Sequence, residues 1–92
     1  MEKLTLIMYL FAGDFESKEK VSLSVKDRCF YITGESFRDS IPFQKFDRYI
    51  HGRYLWESED RYVKVHKNKK GIAVFTGYKD GSYSMFMTTH KK

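Results

Sequence analysis

Apolar and polar residues alternate most cleanly between Arg61 and His90. Three strand-length runs lie there, broken by turn residues at Asn68-Lys69-Lys70-Gly71 and at Asp80-Gly81. Asp-Gly between strand residues predicts a two-residue type I′ hairpin, because both central positions need positive φ. That register sets Tyr78 opposite Tyr83, Phe75 opposite Phe86 and Val74 opposite Met87. Side chains alternate faces along a strand. One face therefore collects Ile72, Val74, Met85 and Met87, and the other Ala73, Phe75, Gly77, Ser84 and Phe86. Val63 and Val65 must join the first face if the sheet is to keep its apolar side continuous. Tyr62, Lys64 and His66 then fall beside Phe75 and Phe86.

The earlier part of the chain adds four further elements. Lys3 to Phe11 is apolar on both faces, the pattern of a strand covered on both sides. Glu16 to Lys20 reads as a charged connection. Val21 to Thr33 reads as a second hairpin, with Leu23 opposite Ile32 and Val25 opposite Phe30. Its turn is Asp27-Arg28 or a longer loop. Asp39 to Gly52 is the one stretch with helical spacing. Asp39 or Ser40 can cap it, Pro42 suits its first turn, Phe43, Phe46 and Ile50 share one face, and Gly52 can end it. Arg53 to Glu57 is a short strand whose Trp56 is expected in the core. The predicted order is strand, hairpin, helix and four-strand meander. The expected fold is α+β: one helix packed on a twisted antiparallel sheet that can curl into a half-barrel. Residues 1–92 are expected to form a single domain, with no linker or repeat.

Composition narrows the class. Seven tyrosines and eight phenylalanines in 92 residues suit packing on a pleated surface. The single cysteine, Cys29, excludes an intrachain disulfide and points to a reducing, cytoplasmic setting. No apolar run reaches the roughly eighteen residues of a membrane helix, so no membrane partner is expected. Charge is unevenly spread. Residues 1–60 hold nine Lys/Arg and eleven Asp/Glu, whereas residues 61–92 hold eight Lys/Arg and one acid. An anionic partner is the natural complement of such a segment.

Converging catalytic groups are not evident. His51, His66 and His90 lack metal-ligand spacing, and one cysteine cannot build a structural zinc site. Glu57-Ser58-Glu59-Asp60 reads as a solvated turn. A small metal-free ribonuclease, with His66 or His90 as base and Lys64 or Arg61 on the phosphate, is a minor alternative. No catalytic residue, metal or cofactor is assigned.

Basic residues interleaved with aromatics are the signature of single-stranded nucleic-acid binding, in which cations track the backbone and rings stack bases. Tyr62, Lys64, His66, Phe75 and Phe86 form such a set, provided that the helix leaves their face open. The hairpin registers also gather Lys67, Lys69, Lys70, Lys91 and Lys92 into one positive rim. The expected function is a non-enzymatic binding or regulatory module that engages nucleic acid or a nucleoprotein complex. The alternative is an inhibitor of a protein target, of the kind common among phage and mobile elements, acting through an apolar surface or edge strand. An edge strand also offers a homodimer contact.

Overall fold

The structure, a computed structural model, describes residues 3–90. Every element in it is a strand: β1 (Lys3–Ala12), β2 (Phe15–Lys26), β3 (Cys29–Thr33), β4 (Arg38–Pro42), β5 (Lys45–Arg48), β6 (Arg53–Glu57), β7 (Arg61–Asn68), β8 (Gly71–Tyr78) and β9 (Ser84–Thr88). They form one antiparallel sheet in the order β4-β3-β2-β1-β9-β8-β7-β6-β5. The first and last strands pair at its centre, Tyr9 with Thr88 and Phe11 with Phe86. The edges, β4 and β5, are consecutive in the chain and do not pair with each other. The sheet is therefore not closed into a barrel.

The sheet is rolled onto its apolar face. Phe30 on β3 and Trp56 on β6 stand six strands apart in the sheet order, yet their ring centroids are 4.7 Å apart. A flat sheet would separate them by roughly 29 Å at about 4.8 Å per strand. The roll encloses Met8, Leu10, Val21, Ile32, Val63, Val74 and Met87, among other buried side chains. At one corner Phe43 N–H donates to the Arg28 carbonyl at 3.0 Å and Gln44 N–H to the Glu57 carbonyl at 2.8 Å. These two bonds carry the chain from one edge of the sheet to the other.

The fold is thus all-β, and the expected helix over residues 39–52 is absent. Its residues instead form both edge strands, the corner between them and the turn into β6. Period-two alternation prevails there: Ile41 points inward and is fully buried, while Ser40 and Pro42 point out. Proline is tolerated on an edge strand, where no neighbour needs its missing N–H. Ile50, which a helix would have buried, is 77% exposed. His51 and Gly52 both take positive φ, 65° and 72°, and turn β5 into β6. A helix of three turns is marginal without tertiary packing, and here the packing favours the strands.

Three smaller expectations change as well. Glu16 to Lys20 is not a connection but part of the twelve-residue β2. Its charges alternate, with Glu16, Lys18 and Lys20 outside and Glu19 buried on the inner face. The first strand is central but covered on one side only, leaving Ile7 57% exposed. The β8–β9 hairpin keeps the expected pairs Phe75–Phe86 and Val74–Met87, but its loop spans Lys79 to Ser82. Gly81 N–H donates to the Tyr78 carbonyl, so Lys79 and Asp80 occupy the centre of the turn and Gly81 follows with φ 83°. The Asp80 carboxylate accepts from Ser82 N–H at 2.8 Å, a local bond that favours this longer loop. A two-residue turn with positive φ at both central positions does occur, at Asp27 (52°) and Arg28 (58°) in the β2–β3 hairpin.

Candidate nucleic-acid interface

Among the described residues, no helix covers the outer face of the sheet. Backbone pairing sets Phe11, Phe86 and Phe75 side by side on β1, β9 and β8, with Lys64 next on β7. The rings form a ladder. Phe11 and Phe86 stack at 5.7 Å, with an interplanar angle of 25°. Phe86 and Phe75 follow at 4.6 Å and 32°. His66, diagonal to Phe75 across the β7–β8 pair, meets it edge-on at 5.9 Å. Phe75 is 40% exposed, so part of its ring is open to solvent. Small neighbours, Ala73 and Ser84, leave the surface beside the ladder low.

Cations flank these rings. Lys64 is exposed, and its Nζ lies 5.5 Å from the centre of the Tyr62 ring. Across β1, Tyr9 is paired with Lys18 and Ile7 with Lys20, and both lysines are exposed on the same outer face. Glu16, opposite Phe11, brings a carboxylate to the far end of the ladder. Of the residues anticipated from sequence, Tyr62, Lys64, His66, Phe75 and Phe86 are brought together. Phe11, Tyr9, Lys18 and Lys20 were missed. The pairing of the first strand with the last brings them there, and no local signal announces that pairing.

The expected basic rim is only partly assembled on this face. Lys69 and Lys70 are exposed in the β7–β8 turn, where the Asn68 carboxamide oxygen accepts from the N–H groups of Lys70 and Gly71. His90 reaches this turn, with its ring nitrogen on the Lys70 carbonyl. Thr89 and His90 fill the space above Gly71, so the C-terminal end of β9 does adjoin the lysine turn. Lys67, however, pairs with Ile72 on the inner face and lines a cleft there. Lys91 and Lys92 lie outside the described residues.

The residues weighed for catalysis are dispersed. Arg61 is on the inner face, forked onto Asp39 at 3.1 and 2.7 Å, whereas Lys64 and His66 are on the outer face. Glu57 is paired with Lys79 at 3.2 Å, and Asp60 accepts from the Ser58 hydroxyl. Among the described residues, no three His, Cys, Asp or Glu side chains converge as a metal site would require.

Compared with known proteins, the chain matches no family model, no curated protein and no solved structure.

Proposed function

We propose that the protein is a non-enzymatic module that binds single-stranded nucleic acid across the outer face of β1, β9, β8 and β7. The observation that carries this reading is the uncovered ladder Phe11–Phe86–Phe75–His66, with Lys64 beside Phe75 and with Lys18 and Lys20 across β1. Aromatic rings exposed on a sheet, with cations within backbone reach, suit unpaired bases. Every base has a face to stack, and each stacked base contributes about 1–3 kcal/mol. The Lys69-Lys70 turn at the end of β7 extends the positive surface along the path of the strand. A duplex hides its base faces and gains little from the ladder.

The reading is tested by titrating a labelled oligothymidylate and a duplex of equal length at low and at physiological salt. Tighter binding of the single strand, weakening with salt, supports it. Equal affinity for both would mean that phosphate alone is being read.

One observation favours a protein partner as the second reading. Phe46 on the open β5 edge is 46% exposed, and Tyr49 and Ile50, in the turn that follows this strand, are 48% and 77% exposed. An unpaired edge with apolar side chains is the surface on which an extended segment can add a strand. Binding of that kind would persist at high salt and be insensitive to changes on the outer face.

A further inference from the structure

The rolled sheet does not fill the space it encloses. Between the β2–β3 hairpin and the β5–β6 hairpin lies an open cleft of about 660 Å³. Small-molecule sites commonly occupy about 300–1,000 Å³. One wall is aliphatic, with Leu4, Leu23 and Val25. The opposite wall is a platform of three rings on β5 and β6. Phe46 and Tyr54 lie within 13° of parallel, Tyr54 and Trp56 within 20°, and Phe46 and Trp56 within 33°. Phe46 keeps 46% of its surface exposed despite these contacts.

Among the described residues that line this cleft, the charged ones are Arg28 and Lys67, and none is Asp or Glu. Arg28 is held in place. Its guanidinium donates to the Gln44 carbonyl and lies 5.3 Å from the centre of the Phe43 ring. A guanidinium carries five donors, so one bond to a carbonyl leaves others for a ligand. Among the described residues, Lys67 has no carboxylate within ion-pair distance.

We propose that this cleft binds a small apolar molecule carrying one anionic head group, a carboxylate or a phosphate monoester. The apolar body lies between the aliphatic wall and the ring platform. The head group is bound by Arg28 and Lys67. Cations lining an apolar cleft favour an amphipathic anion over a neutral molecule of the same shape, because a hydrogen bond between charged groups is stronger than one to a neutral group. The site is separate from the outer-face ladder and does not depend on nucleic-acid binding.

Trp56 is the only tryptophan and lines the cleft, so its fluorescence reports occupancy directly. Dodecanoate, dodecyl phosphate, 1-dodecanol and adenosine monophosphate serve as probes, each below its aggregation concentration. Dodecanoate or dodecyl phosphate should give a saturable change, and the tighter of the two identifies the head group. The alcohol should bind about tenfold more weakly or worse, the loss expected of one charge-assisted bond. Lys67→Gln should narrow the gap between acid and alcohol. Val25→Phe, which fills the cleft, should abolish binding while the melting temperature is retained. If that variant unfolds, chemical-shift changes on adding dodecanoate to the wild type localise the ligand instead. Phe75→Ala should bind dodecanoate as the wild type does. Equal affinity for acid and alcohol would overturn the role of the cations. Saturation by the nucleotide but not by either alkyl anion would overturn the ligand class. No saturable response to any probe, or shifts confined to the outer face, would overturn the site.

Discussion

The Arg61 guanidinium on β7 and the Asp39 carboxylate on β4 meet in a two-bond fork, six strands apart in the sheet order. They join the two halves of the roll across its inner face. Their side chains are 14% and 24% exposed, so the pair is largely shielded from water. Hydrogen bonding to Asp39, opposed by burial, holds Arg61 still more firmly protonated than usual. Its guanidinium also lies 4.9 Å from the centre of the Tyr78 ring, and its Nε is buried with no partner among the described residues. Removing the carboxylate alone strands a shielded charge. Asp39→Ala should therefore lower stability by about 2 kcal/mol, less than the roughly 3–5 kcal/mol of a fully buried pair. The double change Asp39→Leu with Arg61→Met should recover most of that loss. Denaturant titration of the three proteins checks both expectations.

Glu19 gives the fold a dependence on pH. It is 7% exposed on the inner face of β2, where Ser36 donates from both its N–H and its hydroxyl and Ser17 donates from its hydroxyl. Burial pushes its carboxyl up, but the bonds from Ser36 and Ser17 together outweigh burial and hold it below its ordinary value near 4.5. A carboxyl lowered by folding contributes stability that is fully present above the ordinary value and is lost as pH falls through the folded one. The melting temperature should therefore drop as pH falls below about 4.5. Glu19→Gln should be less stable than wild type at neutral pH, and its melting temperature should fall less steeply on acidification. Parallel profiles for the two proteins would remove Glu19 from this role.

Gly81 tests the β8–β9 loop. Its φ is 83°, and no atom of the described residues lies within 4 Å of the position a Cβ would take. The cost of a side chain there is conformational rather than steric. Gly81→Val should cost about 1 kcal/mol or more, and Gly81→Asn distinctly less, because asparagine tolerates the left-handed region. Thermal melts of the two variants compare these costs directly.

Lys69 and Lys70 test the positive surface. Changing both to Glu should weaken oligonucleotide binding and flatten its salt dependence, by roughly 0.7–0.9 in the log–log slope for each phosphate that is no longer neutralised. Stability should stay within about 0.5 kcal/mol, as is usual for exposed positions. Unchanged binding at low salt would limit these lysines to a solubility role.

Much of the meander can be read from the sequence, because one parity places Val65, Val74 and Met87 on a common face and the pairing agrees. The Leu23–Ile32 and Val25–Phe30 pairs follow from alternation in the same way. The edge strands could not be read so. Phe43, Phe46 and Ile50 match a helical period over a short window, while the opposing fact, that Ile41 fills the core of a rolled sheet, depends on strands distant in sequence. The interface was half visible for a similar reason. Phe75 and Phe86 come from one hairpin, but Phe11 reaches them only through the pairing of β1 with β9. The position of Lys67 on the cleft side follows from its register with Ile72. A count of lysines along the segment does not reveal it.

Phe75 is the most exposed of the phenylalanine rings in the outer ladder. The most direct measurement is the affinity of a labelled oligothymidylate for wild type and for Phe75→Ala, taken across a range of salt with the folded state checked by melting. Phe75→Ala should lose about 1–3 kcal/mol of binding, the worth of one stacked base, at every salt concentration. The slope against salt should not change, since no cation has been removed. Wild-type affinity in the Phe75→Ala protein, or no measurable binding by the wild type even at low salt, would contradict the assignment of the outer face.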